Sequence, residues 1–537
     1  MIRSKMQAPG HTNRSALRIL IAPGVNLLLF GAALLLLHPV YGTVEDVFVL
    51  YQLSGGFGNP PTELLHYNHI LNPLLGFLLK TLFKAAPSVN WYTLALLSAH
   101  FMAGSVMLAC LLRRYTVAWA LLFYGCFFFV FEYRLLDAIN FSNTSLLLAL
   151  GGLVLFFSEG QKETPRKGKF VFALCLLISA SLFRIHSWLP LLPVLVPFAL
   201  LLPTWARRMQ VMVWIGAALL GTLLLHRFQE RHYTRNLPAW RAEETYRHQV
   251  YAFYNHHNVR YPSAGQPLHL EGSMLRHGLM VDRSLLSEPV MQSLFASASS
   301  APGANAWPVN RWFLINNKLY LLVFALLFLV PARMKEKILW SAAILVGAAI
   351  WLALILYFAK MPDYLLHGLI AAVMMTSLAT RSRAALPIWL PPVFLLFAAW
   401  GLWLQLKLDS SQRTRSARFE EDYRAISAAP HTLFFLSTEH FPLQDMPVWT
   451  VPVQYPLLNF LSGEHALQGL DASVLRRFGI RSVRDLPAHQ QVLFGGWQPS
   501  LLQDYYQRTN GIFYEAVADS SSGKSLHAYR LIPKTDR

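Results

Sequence analysis

Long apolar runs separated by short basic segments constrain this chain more than any other feature. The first run extends from about Ile19 to Leu37, and similar runs recur as far as residue 405. Each approaches the ~20 residues that an α-helix needs to cross a ~30 Å hydrocarbon layer. The pattern predicts a polytopic α-helical membrane protein with about eleven transmembrane helices. We expect the later helices at residues 92–112, 116–131, 144–158, 169–184, 188–203, 211–226, 314–331, 338–359, 363–379 and 386–405.

The distribution of charge orients these helices. Only 14% of the residues are charged, against about 25% in soluble proteins. The net charge of +18 does not indicate nucleic-acid binding, because the basic residues lie in short loops between apolar runs. Such loops mark the cytoplasmic side of a membrane protein, so we expect a cytoplasmic N-terminus and a bacterial inner-membrane location. The basic loops contain Arg113–Arg114, Lys162–Lys169, Arg207–Arg208, Arg333–Lys337, and Arg381 with Arg383.

The same topology places three segments outside the cytoplasm. Two are loops, at about residues 39–91 and 227–312, and they belong to a transmembrane domain of residues 1–406. The first loop holds an apolar stretch at 70–83, interrupted by Pro73, that is typical of an interfacial helix. Residues 407–537 are expected to form a small extracytoplasmic α/β domain, with a helix at 417–427, a strand at 432–436 and a hairpin at 513–518 and 525–532.

Two adjacent carboxylates, Glu45 and Asp46, follow the first predicted helix. Their mutual repulsion and the nearby low dielectric would raise a carboxylate pKa and increase its basicity. A carboxylate in this position could take a proton from a hydroxyl nucleophile. The alternative interpretation is a solvated acidic pair at a helix end.

The acidic pair is followed by SGGFGNPP, by LHYNHILNPLLGFLLKTLF and by NWY at the start of the second helix. Further along the chain lie Arg134, residues 140–145 (NFSNTS), Arg184 and residues 360–362 (KMP). These motifs show a resemblance to the GT-C superfamily of bacterial membrane glycosyltransferases, and more closely to its poorly characterised multi-spanning relatives. The resemblance spans residues 19 to 405, and the C-terminal domain matches only in position.

The resemblance implies a reaction and its catalytic group. In GT-C enzymes the acidic motif of the first outer loop supplies the catalytic carboxylate, and the donor is a polyprenyl-phosphate sugar. Asp46 or Glu45 would then deprotonate an acceptor hydroxyl, which attacks and inverts the anomeric carbon. The expected function is therefore an inverting transfer of sugar to a cell-envelope glycan or lipid. This sequence has Glu-Asp where relatives often have Asp-Asp, so either carboxylate could be the base.

A lipid phosphate at the membrane surface requires cationic groups near the outer ends of helices. Arg184, Arg134, Arg227 and Lys360 fall there in the predicted topology. Arginine grips phosphate oxygens in a bidentate manner, whereas lysine acts as a point charge. Each side chain could instead extend to the interface or pair with a neighbour. Arg184 is the first choice, because its outer loop is short.

Further substrate contacts are expected from two polar segments. His66, Asn68 and His69 lie close together in the first outer loop, and Tyr254 lies in the aromatic, histidine-rich second one. The three residues of the first loop could contact sugar or phosphate, or could form a polar face at the membrane interface. Tyr254 could contact the sugar, or could anchor its segment at the membrane. Glu63 lies at helical spacing from His66, but no zinc pattern is present. We expect no resident metal site, although a divalent cation remains an open cofactor.

Two other functions compete with the enzyme. A transporter or flippase for lipid-linked or amphipathic cargo usually carries ionisable groups or broken helices near the bilayer midplane. Here the acidic residues are expected at the outer surface instead, whereas prolines at 190, 193 and 197 leave room for a broken helix. A catalytically inactive relative that binds glycan is the third possibility. The acidic residues expected at the outer surface are Glu45, Asp46, Glu132, Asp137 and Asp363.

Overall fold

The fold is a bundle of apolar helices joined to a domain with a β-sheet. The computed structural model describes residues 11–65, 70–185, 187–255, 261–297, 363–380, 389–463, 468–519 and 526–534, with isolated helical positions between 338 and 349. Among these residues, five helices are long and apolar enough to cross a membrane, and three shorter helices are apolar as well. These helices are those of a multi-pass membrane protein.

The first half of the fold extends to residue 195. Its elements are α1 (His11–Leu36), β1 (Val40–Tyr41), α2 (Val44–Ser54), α3 (Pro73–Ala85), α4 (Trp91–Arg114), α5 (Val117–Phe127), α6 (Tyr133–Asp137), β2 (Ala138–Ile139), α7 (Phe141–Gly160), α8 (Lys167–Phe183) and α9 (Leu191–Leu195).

Among the described residues of the second half, six helices precede the C-terminal sheet, and the first and the last of them are the longest. They are α10 (Trp205–Asn236), α11 (Trp240–Asn255), α12 (His269–Arg276), α13 (Glu288–Ser297), α14 (Asp363–Thr380) and α15 (Leu390–Ser427). Helix α7 is buried along its whole length, and α4, α8 and α14 pack around it. The expected helix at 314–331 and most of that at 338–359 lie outside the described residues, so the total of about eleven stays a prediction.

Several helices differ from the expected boundaries. Helix α10 extends from Trp205 to Asn236 and so exceeds the expected run at 211–226 at both ends. The run at 188–203 forms only α9 and a 3₁₀ turn at Val196–Leu201, because its prolines lack the N–H that a continuous helix requires. The run at 116–131 ends α5 at Phe127 and continues through a π-helical turn, Phe128–Glu132, into α6. The run at 386–405 extends without interruption to Ser427, because no proline or glycine follows Gly401 before that residue.

The apolar stretch in the first outer loop begins as a helix at Pro73 and is not interrupted there. The side chain of Asn72 accepts a hydrogen bond from the Leu74 amide at 3.1 Å and caps α3. Proline fits the first helical position, where its missing N–H has no partner to lose. Upstream, Gly55 ends α2 in the left-handed conformation, with φ of +83°, which glycine adopts without steric cost.

The C-terminal sheet contains both parallel and antiparallel pairs. Its strands are β3 (Leu433–Leu436), β4 (Phe460–Ser462), β5 (Val492–Gly495), β6 (Tyr514–Ala518) and β7 (Tyr529–Pro533), in the order β4-β3-β5-β7-β6. Strand β3 pairs in parallel with β4 and β5, whereas β7 is antiparallel to β5 and β6. Helices α16 (Gln468–Arg477) and α17 (Pro499–Asn510) complete the α/β arrangement.

The second outer segment packs on the C-terminal sheet. Buried side chains of α12 and α13, such as Met274 and Leu294, share one hydrophobic core with Phe435 and Phe494 of the sheet. The expected domain boundary at residue 406 falls inside α15, which runs from the bundle toward this core. The extracytoplasmic position of residues 407–537 stays a prediction.

Candidate active site

Asp46 is held by donors from three different elements. It lies in the first turn of α2, where the Thr43 hydroxyl donates to its Oδ2 at 2.6 Å. The Tyr92 hydroxyl, from the first turn of α4, donates to Oδ1 at 2.6 Å. The backbone N–H of Phe141 donates to the same oxygen at 3.0 Å. The carboxylate therefore also lies at the N-terminus of α7, where the helix dipole stabilises negative charge.

Burial of Asp46 sets its proton affinity. The residue is 0% exposed, and this burial raises the pKa of its carboxyl from the ordinary 3.8 to about 7. Hydrogen bonds from Thr43, Tyr92 and the Phe141 N–H lower the pKa, and the charge of half-buried Glu45 raises it. At neutral pH both the ionised and the protonated forms are populated, which is the condition that a general base requires.

Arg184 reaches the same turn of α7 from the opposite direction. It follows the last residue of α8, and its guanidinium donates to the Ser142 hydroxyl. The guanidinium also lies over the Phe141 ring, 5.2 Å from its centroid. The Ser145 hydroxyl donates to the Arg184 carbonyl at 2.9 Å. Asp46 and Arg184 thus both contact Phe141, Asp46 through the backbone N–H and Arg184 through the ring.

The other cations expected at the site have different environments. Arg134 lies half-buried on α6 and interacts electrostatically with Asp137 and His367. Arg227 is exposed on α10. Lys360 lies outside the described residues.

The expected substrate contacts fall where the structure describes little. His66, Asn68 and His69 lie outside the described residues, and of Tyr254 only the backbone, within α11, is described. Glu63 is not helical and forms an ion pair with Lys80. Burial disfavours the charge of Glu63, but the hydrogen bond and charge of Lys80 outweigh it and lower its pKa. Across the described ranges, no group of three or more histidine, cysteine or acidic residues is placed to hold a metal ion.

Besides Asp46, two acidic residues expected at the outer surface are buried. Glu132 is 0% exposed and hydrogen-bonds His100 of α4 at 2.9 Å. The π-helical turn directs the Glu132 side chain into the bundle. The apolar pattern of the sequence did not indicate this direction. Asp137 is 4% exposed and lies four residues before Phe141. Its charged neighbours are Arg134, Asp409 and Arg415, and its position beside the β1–β2 pair makes it a second candidate carboxylate.

Sequence comparisons and structure comparisons give different results. No protein family model matches the chain, and no curated protein sequence matches it. Among solved structures, the crystal structure of ArnT from Cupriavidus metallidurans bound to undecaprenyl phosphate superposes with a TM-score of 0.50 at 13% sequence identity. The match covers 96% of this chain and 97% of that chain. The fold is ArnT-like.

The apo form of ArnT from the same organism gives a TM-score of 0.48, also at 13% identity, with the same coverage of both chains. At 13% identity the likeness establishes the fold, and the chemistry has to be argued from the residues of this chain.

Proposed function

We propose that this protein is an inverting glycosyltransferase that moves a sugar from a polyprenyl-phosphate donor to a cell-envelope glycan or lipid. The observation that carries the proposal is the joint placement of Asp46 and Arg184 at the first turn of α7. A candidate base with a pKa of about 7 and a cation suited to phosphate thereby contact the same residue, Phe141. The GT-C-like fold supports the same reaction class.

The reaction needs one proton transfer and one substitution. The Asp46 carboxylate accepts the proton of the acceptor hydroxyl, and the hydroxyl oxygen forms a bond to the anomeric carbon of the donor. The bond from that carbon to the phosphate oxygen breaks, and the polyprenyl phosphate leaves with the electron pair. Because the attack comes from the side opposite the phosphate, the configuration inverts. Half-buried Glu45 is the second carboxylate at this position and adds negative charge beside the base.

The leaving phosphate requires stabilisation of its charge more than protonation. Arg184 is suited to this role because its guanidinium is fixed over the Phe141 ring and against Ser142, at a helix N-terminus that favours anions. Arg134, Arg227 and Lys360 are further candidates for phosphate contact, and His66, Asn68, His69 and Tyr254 for substrate contact. Undecaprenyl phosphate, the lipid bound by ArnT, is the donor lipid proposed here.

The basic short loops favour a cytoplasmic N-terminus, with Asp46 and the C-terminal domain on the outer side of the inner membrane. The donor sugar would then be presented at the outer leaflet. A divalent cation is not required by the chemistry above, because Arg184 supplies a positive charge at the phosphate.

The proposal is tested with Asp46→Asn and Glu45→Gln, made singly and together. The matched control is Asp282→Asn, which removes another buried carboxylate that accepts from serine, tyrosine and arginine side chains. Glycan composition of cells and binding of undecaprenyl phosphate by the purified protein are measured. We expect Asp46→Asn to abolish the glycan product while binding persists and Asp282→Asn retains the product. An unchanged glycan at normal protein level in the double variant would refute the proposal.

A further inference from the structure

A segment of the C-terminal domain is built into the surroundings of Asp46. Pro447 forms an antiparallel bridge with Val40 of β1, and the Val448 N–H donates to the Pro39 carbonyl at 3.1 Å. On its other edge, β1 pairs in parallel with β2, with Val40 opposite Ala138. Strand β1 therefore lies between the C-terminal domain and the strand that leads into α7.

The carbonyl of Val448 is an anchor for the first turn of α4. It accepts from the Thr93 hydroxyl at 2.8 Å, from the Asn90 amide at 2.9 Å and from the Tyr41 hydroxyl at 3.3 Å. The Asn90 amide also lies 2.8 Å from the Thr450 carbonyl. All of these side chains are buried, and buried polar groups that are fully satisfied fix a unique arrangement.

The anchored turn carries the hydroxyl that holds Asp46. Tyr92 lies between Asn90 and Thr93, and its hydroxyl donates to Asp46 at 2.6 Å. The ring of Tyr41 stacks on the ring of Tyr92, with centroids 6.3 Å apart and an angle of 27° between the planes. A continuous series of contacts thus joins Val448 to Asp46 through Tyr92.

We propose that the C-terminal domain positions the base, with Tyr41, Asn90 and Thr93 as positioning residues that act through Tyr92. The inference rests on the proposed glycosyl transfer and gives the C-terminal domain a role inside the active site. At this point the domain fixes the Tyr92 hydroxyl that donates to Asp46. The titratable groups that face Asp46 are Glu45 on α2, Tyr92 on α4 and Tyr41 on β1.

Two variants remove one hydroxyl each and leave the side-chain shape almost unchanged. Thr93→Val breaks the bond to Val448, and Tyr41→Phe keeps the ring on Tyr92 but loses the hydroxyl. Turnover is measured as release of undecaprenyl phosphate from polyprenyl-phosphate sugars extracted from the native cells. We expect kcat to fall by about 10- to 100-fold, since small misplacements of a reacting group have such effects. KM for the lipid donor should change little, because Arg184 is untouched.

A pH profile separates positioning from simple destabilisation. The hydrogen bond from Tyr92 lowers the pKa of Asp46, so a Tyr92 hydroxyl displaced together with the first turn of α4 should move the activity midpoint to higher pH. Thr93→Ser, which keeps the hydroxyl, should restore both kcat and the midpoint. If Thr93→Val does not fold, Tyr41→Phe alone decides the question.

The control is Tyr506→Phe, which removes another buried tyrosine hydroxyl, one that donates to the Val483 carbonyl at 3.2 Å inside the C-terminal domain. It should keep wild-type kcat and midpoint. Equal kcat and equal midpoint in Thr93→Val, Tyr41→Phe and Tyr506→Phe would overturn the inference. An active Asp46→Asn variant would instead refute the proposed transfer itself, so the two failures are distinguishable.

Discussion

The Phe141 amide lies 3.0 Å from the Asp46 carboxylate, although 95 residues separate the two in the sequence. This bond places the carboxylate at the end of the helix that the rest of the bundle surrounds. The same residue carries the Arg184 guanidinium over its ring. Phe141 therefore contacts both the proposed base, Asp46, and the proposed phosphate-binding cation, Arg184.

The pH dependence of turnover follows from the ionisation of Asp46. A general base has to be ionised, so kcat/KM should rise with pH and reach half its plateau at about 7, the pKa of the buried carboxyl. Tyr92→Phe removes a hydrogen bond that lowers this pKa, so its midpoint should lie at higher pH than that of the wild type. The profile is measured as release of undecaprenyl phosphate between about pH 5.5 and 9. These limits lie about 1.5 to 2 pH units on either side of the expected midpoint.

Thr43→Val provides an independent check of this direction. The Thr43 hydroxyl also lowers the pKa of Asp46, and it donates directly to the carboxylate from the residue that precedes α2. Its loss should move the midpoint upward, as in Tyr92→Phe and in Thr93→Val. A midpoint unchanged in both Tyr92→Phe and Thr43→Val would show that another group titrates.

The same pKa predicts how stability depends on pH. The folded state holds a proton on Asp46 up to about pH 7, whereas the unfolded chain releases it near 3.8. Between these values the folded state binds more protons, so the free energy of unfolding decreases as pH rises and levels off above about 7. Asp46→Asn removes this contribution. Unfolding temperatures of both proteins in detergent, compared at pH 5 and pH 8, should differ less for the variant than for the wild type.

Arg184 is predicted to contribute to lipid affinity more than to proton transfer. Arg184→Gln should raise the Kd for undecaprenyl phosphate by about 10- to 100-fold, as expected for the loss of a charge-assisted hydrogen bond. Arg184→Lys keeps the positive charge but loses the planar guanidinium, so its Kd should lie between those of the wild type and Arg184→Gln. Arg424→Gln, which changes an exposed arginine of α15, serves as the control. Equal Kd values for Arg184→Gln and the control would exclude Arg184 from the phosphate site.

The membrane helices could be predicted from the sequence because each depends on its own composition. Helices α4, α7, α8 and α14 occur within a few residues of the expected runs, since lipid selects long apolar segments regardless of their neighbours. The exceptions also have local causes. Prolines limit the run at 188–203 to short turns, and α15 continues into the C-terminal domain because its charged residues after 406 remain good helix formers.

The candidate site was predictable only in part. Glu45 and Asp46 stand out in the sequence as an acidic pair after an apolar run, and Arg184 as a basic residue in a short loop. Their proximity depends on the first turn of α7, which no local pattern indicates. The contact between Val448 and the first turn of α4 joins residues 355 positions apart. Its acceptor is a backbone carbonyl, which every residue possesses, so the sequence carries no side-chain signal that would predict this contact.

The buried pair of His100 and Glu132 gives a prediction about stability alone. Both side chains are 0% exposed, and their atoms Nδ1 and Oε1 lie 2.9 Å apart, while His100 Nε2 lies 3.0 Å from the Thr144 hydroxyl. That hydroxyl donates to the Asn140 carbonyl, so Nε2 carries a proton and one further proton is shared between Nδ1 and Glu132. The pair joins α4, the π-helical turn and α7.

Removing one partner of such a pair leaves the other buried without compensation and costs about 3 to 5 kcal/mol. Glu132→Ala should therefore lower the unfolding temperature by several degrees, whereas Glu132→Gln keeps a hydrogen bond to His100 and should lower it less. Neither variant removes a contact of Asp46, so the activity midpoint of the folded fraction should stay at about pH 7. A shifted midpoint with unchanged unfolding temperature would mean that the pair acts on the reaction itself, because a purely structural pair changes only the amount of folded protein.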